Sequence, residues 1–129
     1  MIKVIKSTLL VFCLFMTACV TVEETPHVIV NGAAGYLEKV VLPQGCSITI
    51  AIVDLDTRNS ILAQKSFDIA RAPVPFKFFL SPDKIKDDVN YGVVAMIQHK
   101  GKLLYQTYDH FPVINNDEFT AAVLMKAVP

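Results

Sequence analysis

The chain has 129 residues, which is enough for one domain of ordinary size. Hydrophobic residues make up 53% of the chain and charged residues 19%, so the composition excludes an intrinsically disordered protein. Lys and Arg together number 12, as do Asp and Glu, and this zero formal net charge argues against a basic protein that binds nucleic acid.

The first 18 residues have the pattern of a secretory signal peptide. Lys3 and Lys6 give a positively charged start, and an apolar stretch follows at residues 9–17. That stretch is shorter than the roughly 20 residues needed to cross a bilayer as a helix. We therefore expect residues 1–18 to direct export and then to be removed.

A cysteine directly after this segment predicts lipid attachment. Met16, Thr17 and Ala18 precede Cys19 and resemble the bacterial lipobox, in which an aliphatic residue and two small residues precede the cysteine that receives diacylglycerol. Cleavage between Ala18 and Cys19 would leave an S-diacylglycerol and an N-acyl group on Cys19, and no other cofactor is expected. The alternative is that Ala18 is an ordinary cleavage residue and Cys19 an incidental cysteine. A residue other than Asp at position 20, here Val20, is typical of lipoproteins sorted to the outer membrane.

The next segment is predicted to be a tether. Glu23, Glu24 and Pro26 oppose regular structure, so residues 19–32 are interpreted as the lipidated cysteine and its linker. Residues 33–129 are expected to form a single β domain.

Short apolar runs in this domain have the period and length of β-strands. Ile48, Ile50 and Ile52 alternate with smaller or polar residues, which places them on one face of a strand. The predicted strands are residues 34–42, 47–55, 61–69, 74–80, 91–99, 103–109 and 119–127, with 28–30 as a candidate eighth. No long amphipathic helix or βαβ alternation is visible, so we predict an all-β fold, either a small antiparallel β-sandwich of seven to eight strands or an open barrel.

No constellation of polar residues predicts an enzyme. Asp54 and Asp56 are two residues apart after a strand, where they form a polar turn or, alternatively, hold a cation. The glycine and the distal glutamate of a calcium loop are missing, and His99 and His110 lack the spacing of a zinc pair. We expect no catalytic residue and no metal site.

A surface is the remaining functional feature. The aromatic residues are numerous, and we predict Phe76, Phe78 and Tyr105 to contact a protein partner, although a core position is the default for such residues. The prolines at residues 73 and 75 disfavour a central strand, which places this region at a sheet edge. An extended partner would pair with that edge, or a helix would lie in a groove between the sheets.

Eight short segments stand in the order seen in the YbaY/YscW lipoproteins. They are residues 35–39, 42–45, 50–54, 73–76, 83–85, 91–97, 101–105 and 111–113. The order and spacing of these segments resemble that family over about residues 35–123, and the shortness of the chain is more similar to its YscW-type branch.

The resemblance implies a small β-sandwich lipoprotein that acts as a pilotin of type III secretion. Such a protein is anchored in the outer membrane by its lipid, with the domain facing the periplasm. It binds the C-terminal segment of a secretin subunit and promotes the localisation and oligomerisation of the secretin in that membrane. The alternative is a YbaY-like envelope lipoprotein with a structural or small-ligand-binding role. An envelope enzyme or enzyme inhibitor is a third class, for which no residue pattern gives support.

Overall fold

The computed structural model describes residues 27–57 and 60–129, which form nine strands in a three-stranded and a six-stranded sheet. The strands are β1 (Val28–Gly35), β2 (Cys46–Asp54), β3 (Ile61–Ile69), β4 (Val74–Leu80), β5 (Tyr91–His99), β6 (Lys102–Gln106), β7 (Pro112–Val113), β8 (Thr120–Leu124) and β9 (Lys126–Ala127). A short 3-10 helix, Pro82–Lys84, follows β4.

The small sheet has the order β4-β1-β8. Strand β1 pairs antiparallel with β4 and parallel with β8. Along β4, Val74, Phe76, Phe78 and Leu80 are buried, whereas the residues between them are exposed. The side chains of a strand point alternately to opposite faces, so this sheet has one face in the core and one in solvent.

The large sheet has the order β3-β2-β5-β6-β9, and β7 pairs with the beginning of β5. Ile48, Ile50 and Ile52 of β2 are fully buried, and their neighbours across the strand pair on β5, Ile97, Ala95 and Val93, are also buried. Each fully buried Ile contributes about 1.5–3 kcal/mol relative to an exposed one. Their row forms the large-sheet side of the core.

The core lies between the inner faces of the two sheets. It holds Val30 and Phe78 from the small sheet and the isoleucine rows of the large sheet, and within the described residues no polar or charged side chain is buried. The two sheets do not close into a barrel. The predicted all-β sandwich is therefore confirmed, with the parallel β1–β8 pair as its departure from a purely antiparallel arrangement.

Strand β1 confirms the candidate strand at residues 28–30 and extends it to residue 35. Strand β1 covers Val28–Gly35, so residues 28–32 belong to a sheet and not to the expected tether. The predicted strand at 34–42 is wrong beyond residue 35, because Leu37, Val40 and Val41 are exposed apolar residues of the loop before β2. Apolar residues in a loop were interpreted as a strand, since single-sequence periodicity does not distinguish the two over so short a run.

The last predicted strand, 119–127, is divided between the two sheets. The N–H of Met125 donates to the carbonyl of Gly35 beside the small sheet at 2.8 Å, and the N–H of Val128 donates to the carbonyl of Leu104 of the large sheet at 2.9 Å. Met125 is buried in the core. The chain thus crosses from β8 to β9 at this point and joins the two sheets.

Candidate functional site

The outer face of the large sheet carries an apolar groove. Its floor consists of Ala51 and Val53 on β2, Val94 and Met96 on β5, and Ile61 on β3. In the register of the sheet, Ala51 lies opposite Val94, and Val53 lies opposite Ile61. Residues that are far apart in the chain therefore form one surface, which we call the outer groove.

Uncharged polar side chains border this floor. The hydroxyl groups of Thr49 and Ser66 are hydrogen-bonded to each other at 2.8 Å across β2 and β3. Gln64, Gln106 and Thr107 line the same depression, which has a volume of about 270 Å³. An apolar floor with a neutral polar border is suited to an amphipathic protein segment rather than to a charged small molecule.

One end of the outer groove is acidic. An adjoining depression of about 590 Å³ shares Val53 and Val94 with the floor, and Asp54, Asp56 and Asp109 line it. The N–H of Asp56 donates to Oδ1 of Asp54 at 2.9 Å, so the aspartate pair forms the turn after β2. Lys126 lies 3.8 Å from Asp109, and both side chains are exposed, which makes this ion pair weak.

The geometry of the outer groove favours a helix as its occupant. Most of the floor belongs to β2 and β5, which have paired strands on both sides, so the backbone beneath the groove is engaged within the sheet and does not bind a further strand. From residue 49 to residue 54 the groove runs for about 17 Å at about 3.3 Å per residue. A helix of about 11 residues, or three turns, has that length.

The aromatic residues predicted to contact a partner lie in the core instead. Phe76 and Phe78 are 6% and 2% exposed on the inner face of β4, and Tyr105 is 8% exposed on β6. The prediction that these residues are exposed is therefore wrong, because each occupies a strand position whose side chain points into the core. The predicted groove between the sheets is also wrong, since core side chains fill that space.

Tyr105 and Tyr36 form a stacked pair that connects the loop after β1 to β6. Their ring centroids are 4.5 Å apart, and the Tyr36 hydroxyl donates to the carbonyl of Val40 at 3.3 Å. Burial raises the pKa of both phenols above the ordinary value of 10.0, and the neighbouring Glu38 acts in the same direction. The pair thus has a structural position and remains neutral near pH 7.

The predicted sheet edge at β4 is confirmed, but it is protected against strand addition. The Lys65 ammonium from β3 donates to the backbone carbonyl of Lys77 on this edge. Pro75 presents its backbone to the same side as Lys77, two residues away, and has no N–H to donate. An extended partner therefore has less to bind at this edge than a helix has in the outer groove.

Within residues 27–57 and 60–129, no group of three or more His, Cys, Asp and Glu side chains is arranged to hold a metal ion. The described residues also contain no helix of sufficient length and apolarity to cross a membrane. Ala18 and Cys19, the predicted cleavage and lipidation residues, lie outside the described residues.

The outer groove was missed by sequence reasoning, although the sequence contains a signal for it. Strands β2 and β5 carry apolar residues on both faces, as in the run from Ile50 to Val53 and the run from Val93 to Ile97. A strand with one solvated face alternates strictly, so the extra apolar residues indicate that the second face is also covered or is used for docking.

Comparisons with known proteins give a family model and a solved structure that match this chain. The family model described as the type III secretion system lipoprotein chaperone (YscW) matches residues 25–125. Among solved structures, the chain is similar to an alternative pilotin from the type II secretion system of Vibrio cholerae, with a TM-score of 0.74 and 23% identity. That match covers 81% of this chain and 99% of the pilotin chain, and at this identity it shows a shared fold. None of the curated proteins searched matches the chain.

Proposed function

Because the chain belongs to the family of type III secretion system lipoprotein chaperones (YscW), we propose that it is a pilotin of the bacterial outer membrane. Lipid on Cys19 anchors it, the domain faces the periplasm, and the outer groove binds the C-terminal segment of a secretin subunit. Through this binding the protein carries the secretin to the outer membrane and promotes its oligomerisation there. It acts by binding and has no catalytic step.

One observation carries the proposal: the apolar floor extends over three neighbouring strands of the outer face, and no element formed by residues 27–57 and 60–129 covers it. Val53, Val94 and Met96 are half-buried there, and Ile61 is 52% exposed. A helical segment with a stripe of apolar residues would remove this floor from water, and each residue it covers stabilises the complex. While this helical segment of the secretin is bound in the outer groove, it is also protected from aggregation.

The acidic end of the outer groove adds a requirement on the partner. Asp54 and Asp56 stand where the apolar floor stops. A secretin segment that continues its apolar stripe with a Lys or Arg residue places that cation beside the aspartates, which fixes the direction of the helix. Charge at this end therefore gives orientation, and the floor gives affinity.

The test is titration of a synthetic secretin C-terminal segment into the purified lipoprotein, followed by calorimetry. Val94→Asp introduces a carboxylate into the floor, where it is hydrated in the free protein and unpaired in the complex. We expect the dissociation constant to rise about thirtyfold or more, in line with roughly 2 kcal/mol for such a group. Val41→Asp, in the loop between β1 and β2 where Val41 is 94% exposed, is the matched control and should bind as the unmodified protein does.

In cells, the same variants separate this function from the alternative. The pilotin proposal expects Val94→Asp to leave the secretin out of the outer membrane, while Val41→Asp delivers it normally. Capture from detergent-solubilised envelopes with the tagged lipoprotein should enrich the secretin as the leading partner. If Val94→Asp delivers the secretin as well as its control does, the groove is not the binding site. If a secretin that is present is never enriched by the unmodified protein, a YbaY-like envelope role is the better account.

A further inference from the structure

The outer face of the small sheet holds a second exposed feature, opposite to the outer groove. Phe79 and Ile29 are partners across β4 and β1, and they are 61% and 40% exposed. The Lys77 ammonium lies 5.5 Å from the centroid of the Phe79 ring, and the ring of His27 meets it edge-on with centroids 6.4 Å apart. These four residues are called the anchor-side patch.

The position of the anchor-side patch in the chain identifies its occupant. His27 is the first described residue, and the proposed lipid site, Cys19, precedes it by only eight residues. At about 3.4 Å per residue, a fully extended segment of this length reaches about 27 Å. The lipid can therefore hold the patch close to the bilayer without bending the chain around the domain.

We propose that the anchor-side patch rests on the lipid surface, with Phe79 and Ile29 among the headgroups and Lys77 beside lipid phosphates. This inference rests on the proposed lipid anchor at Cys19. An exposed aromatic ring next to a lysine is the combination that enters a membrane interface, because the ring leaves water while the ammonium stays with the phosphates.

The charges of the same face agree with this occupant. The outward positions of the small sheet are Ile29, Asn31, Ala33, Gly35, Pro75, Lys77, Phe79, Thr120, Ala122 and Leu124. None of them is a carboxylate, so nothing at these positions repels an anionic lipid. With this face on the membrane, the outer groove points toward the periplasm, where a secretin segment reaches it.

Another exposed apolar group fits the membrane less well. Leu37 and Val41, in the loop after β1, are 80% and 94% exposed. They follow the far end of β1, about 23 Å along the strand from Val28 at about 3.3 Å per residue. To bring this loop to the bilayer, the segment from Cys19 would have to extend along the whole small sheet.

The absence of tryptophan from the chain allows a direct test. A single tryptophan is introduced as Phe79→Trp, or as Val41→Trp for the matched control, into the lipidated full-length protein. Each protein is reconstituted into vesicles of phosphatidylethanolamine and phosphatidylglycerol, with or without bromine on the acyl chains. We expect brominated lipid to quench the emission of F79W severalfold more strongly than that of V41W. Ile29→Trp is the second reporter and should behave as F79W does.

The controls separate this inference from the proposed function. Flotation with vesicles is measured first, and a protein that fails to float overturns the anchor and the membrane contact together. A protein that floats while F79W and V41W are quenched equally, or while V41W is quenched more, overturns the membrane contact alone. A blue-shifted F79W emission that brominated lipid does not quench also overturns it and indicates self-association through this face. Secretin binding by F79W in solution is expected to be unchanged in all cases.

Discussion

The two sheets have similar inner faces and different outer faces. Inside, the inward positions of both sheets are apolar, and Phe76 and Phe78 from the small sheet share one core with the isoleucines of β2. Outside, the large sheet continues its apolar character over β2, β3 and β5, whereas the small sheet exposes the pair Ile29 and Phe79 beside a lysine.

This difference between the outer faces follows from the number of strands in each sheet. In the large sheet the interior strands β2 and β5 are neighbours, so outward side chains from both can form a continuous floor. The small sheet has one interior strand, β1, whose outward residues include the polar Asn31 and the small Ala33. Inner faces therefore reflect the fold, and outward residues on adjacent interior strands form the proposed binding surface.

The largest expected effect comes from a close backbone contact between β1 and β8 in the small sheet. A Cβ atom added at Gly32 of β1 would lie 1.9 Å from the carbonyl oxygen of Ala121, and the φ angle of +157° adds strain. Gly32→Ala must therefore separate β1 from β8, and we expect the free energy of unfolding to fall by about 3 kcal/mol or more. Chemical denaturation followed by circular dichroism measures the change.

Gly92→Ala in the large sheet is the matched comparison. There the three atoms nearest to the added Cβ would all belong to the Leu55 side chain, at 2.8 and 2.9 Å, and a flexible side chain can move. We expect a loss of about 1 kcal/mol. Equal losses for the two alanine variants would mean that the β1–β8 contact is less tight than the structure gives it.

The next effect concerns the acidic end of the outer groove. Asp56→Lys places a cation where the proposed secretin segment carries its own, so the affinity should fall about fivefold, corresponding to about 1 kcal/mol. Calorimetry at low and high salt measures it, and the difference should shrink as salt screens the repulsion. Asp83→Lys, an exposed change in the 3-10 helix, should leave the affinity unaltered. A loss that is independent of salt would contradict the charge argument.

Much of the fold was predictable, because burial imposes a period on the sequence. Strands β3, β4 and β5 were predicted with the bounds they have, since turn residues flank each apolar run. Strands β7 and β9 have two residues each, too few to show any period. The order of strands and the parallel β1–β8 pair depend on contacts between distant segments, which no local pattern contains.

The candidate site was less predictable than the fold. Val53, Val94 and Ile61 become neighbours only through strand register, so the sequence shows three separate apolar residues and no groove. Phe76 and Phe78 were selected for their residue type, but parity turns both of them inward. The residue type indicates which side chains can bind a partner, and the position in the strand decides whether a side chain faces the surface or the core.

A smaller effect is expected where the edges of the two sheets meet. The Lys65 ammonium donates to the Lys77 carbonyl and lies 5.3 Å from the centroid of the Phe78 ring. Lys65→Ala removes both contacts, and we expect a loss of about 1 kcal/mol in the free energy of unfolding. It also uncovers the β4 edge, so light scattering should detect concentration-dependent association. Lys102→Ala, at an exposed position of β6, is the control. If both variants associate equally, the association results from the lost positive charge and not from the uncovered β4 edge.

The smallest effect is a pH dependence from the Tyr36–Tyr105 stack, which joins the loop after β1 to the large sheet. Burial raises the pKa of both phenols in the folded protein above 10.0, so folding favours their neutral forms. Their contribution to stability is fully present below pH 10.0 and is lost as the pH rises through the folded pKa. Thermal unfolding across this alkaline range should show a smaller fall for Tyr36→Phe and Tyr105→Phe than for the unmodified protein. Tyr108→Phe is the control, because Tyr108 is 49% exposed and lies outside the stack. If Tyr108→Phe reduces the fall as much as the other two variants do, the alkaline loss of stability does not come from the stacked pair.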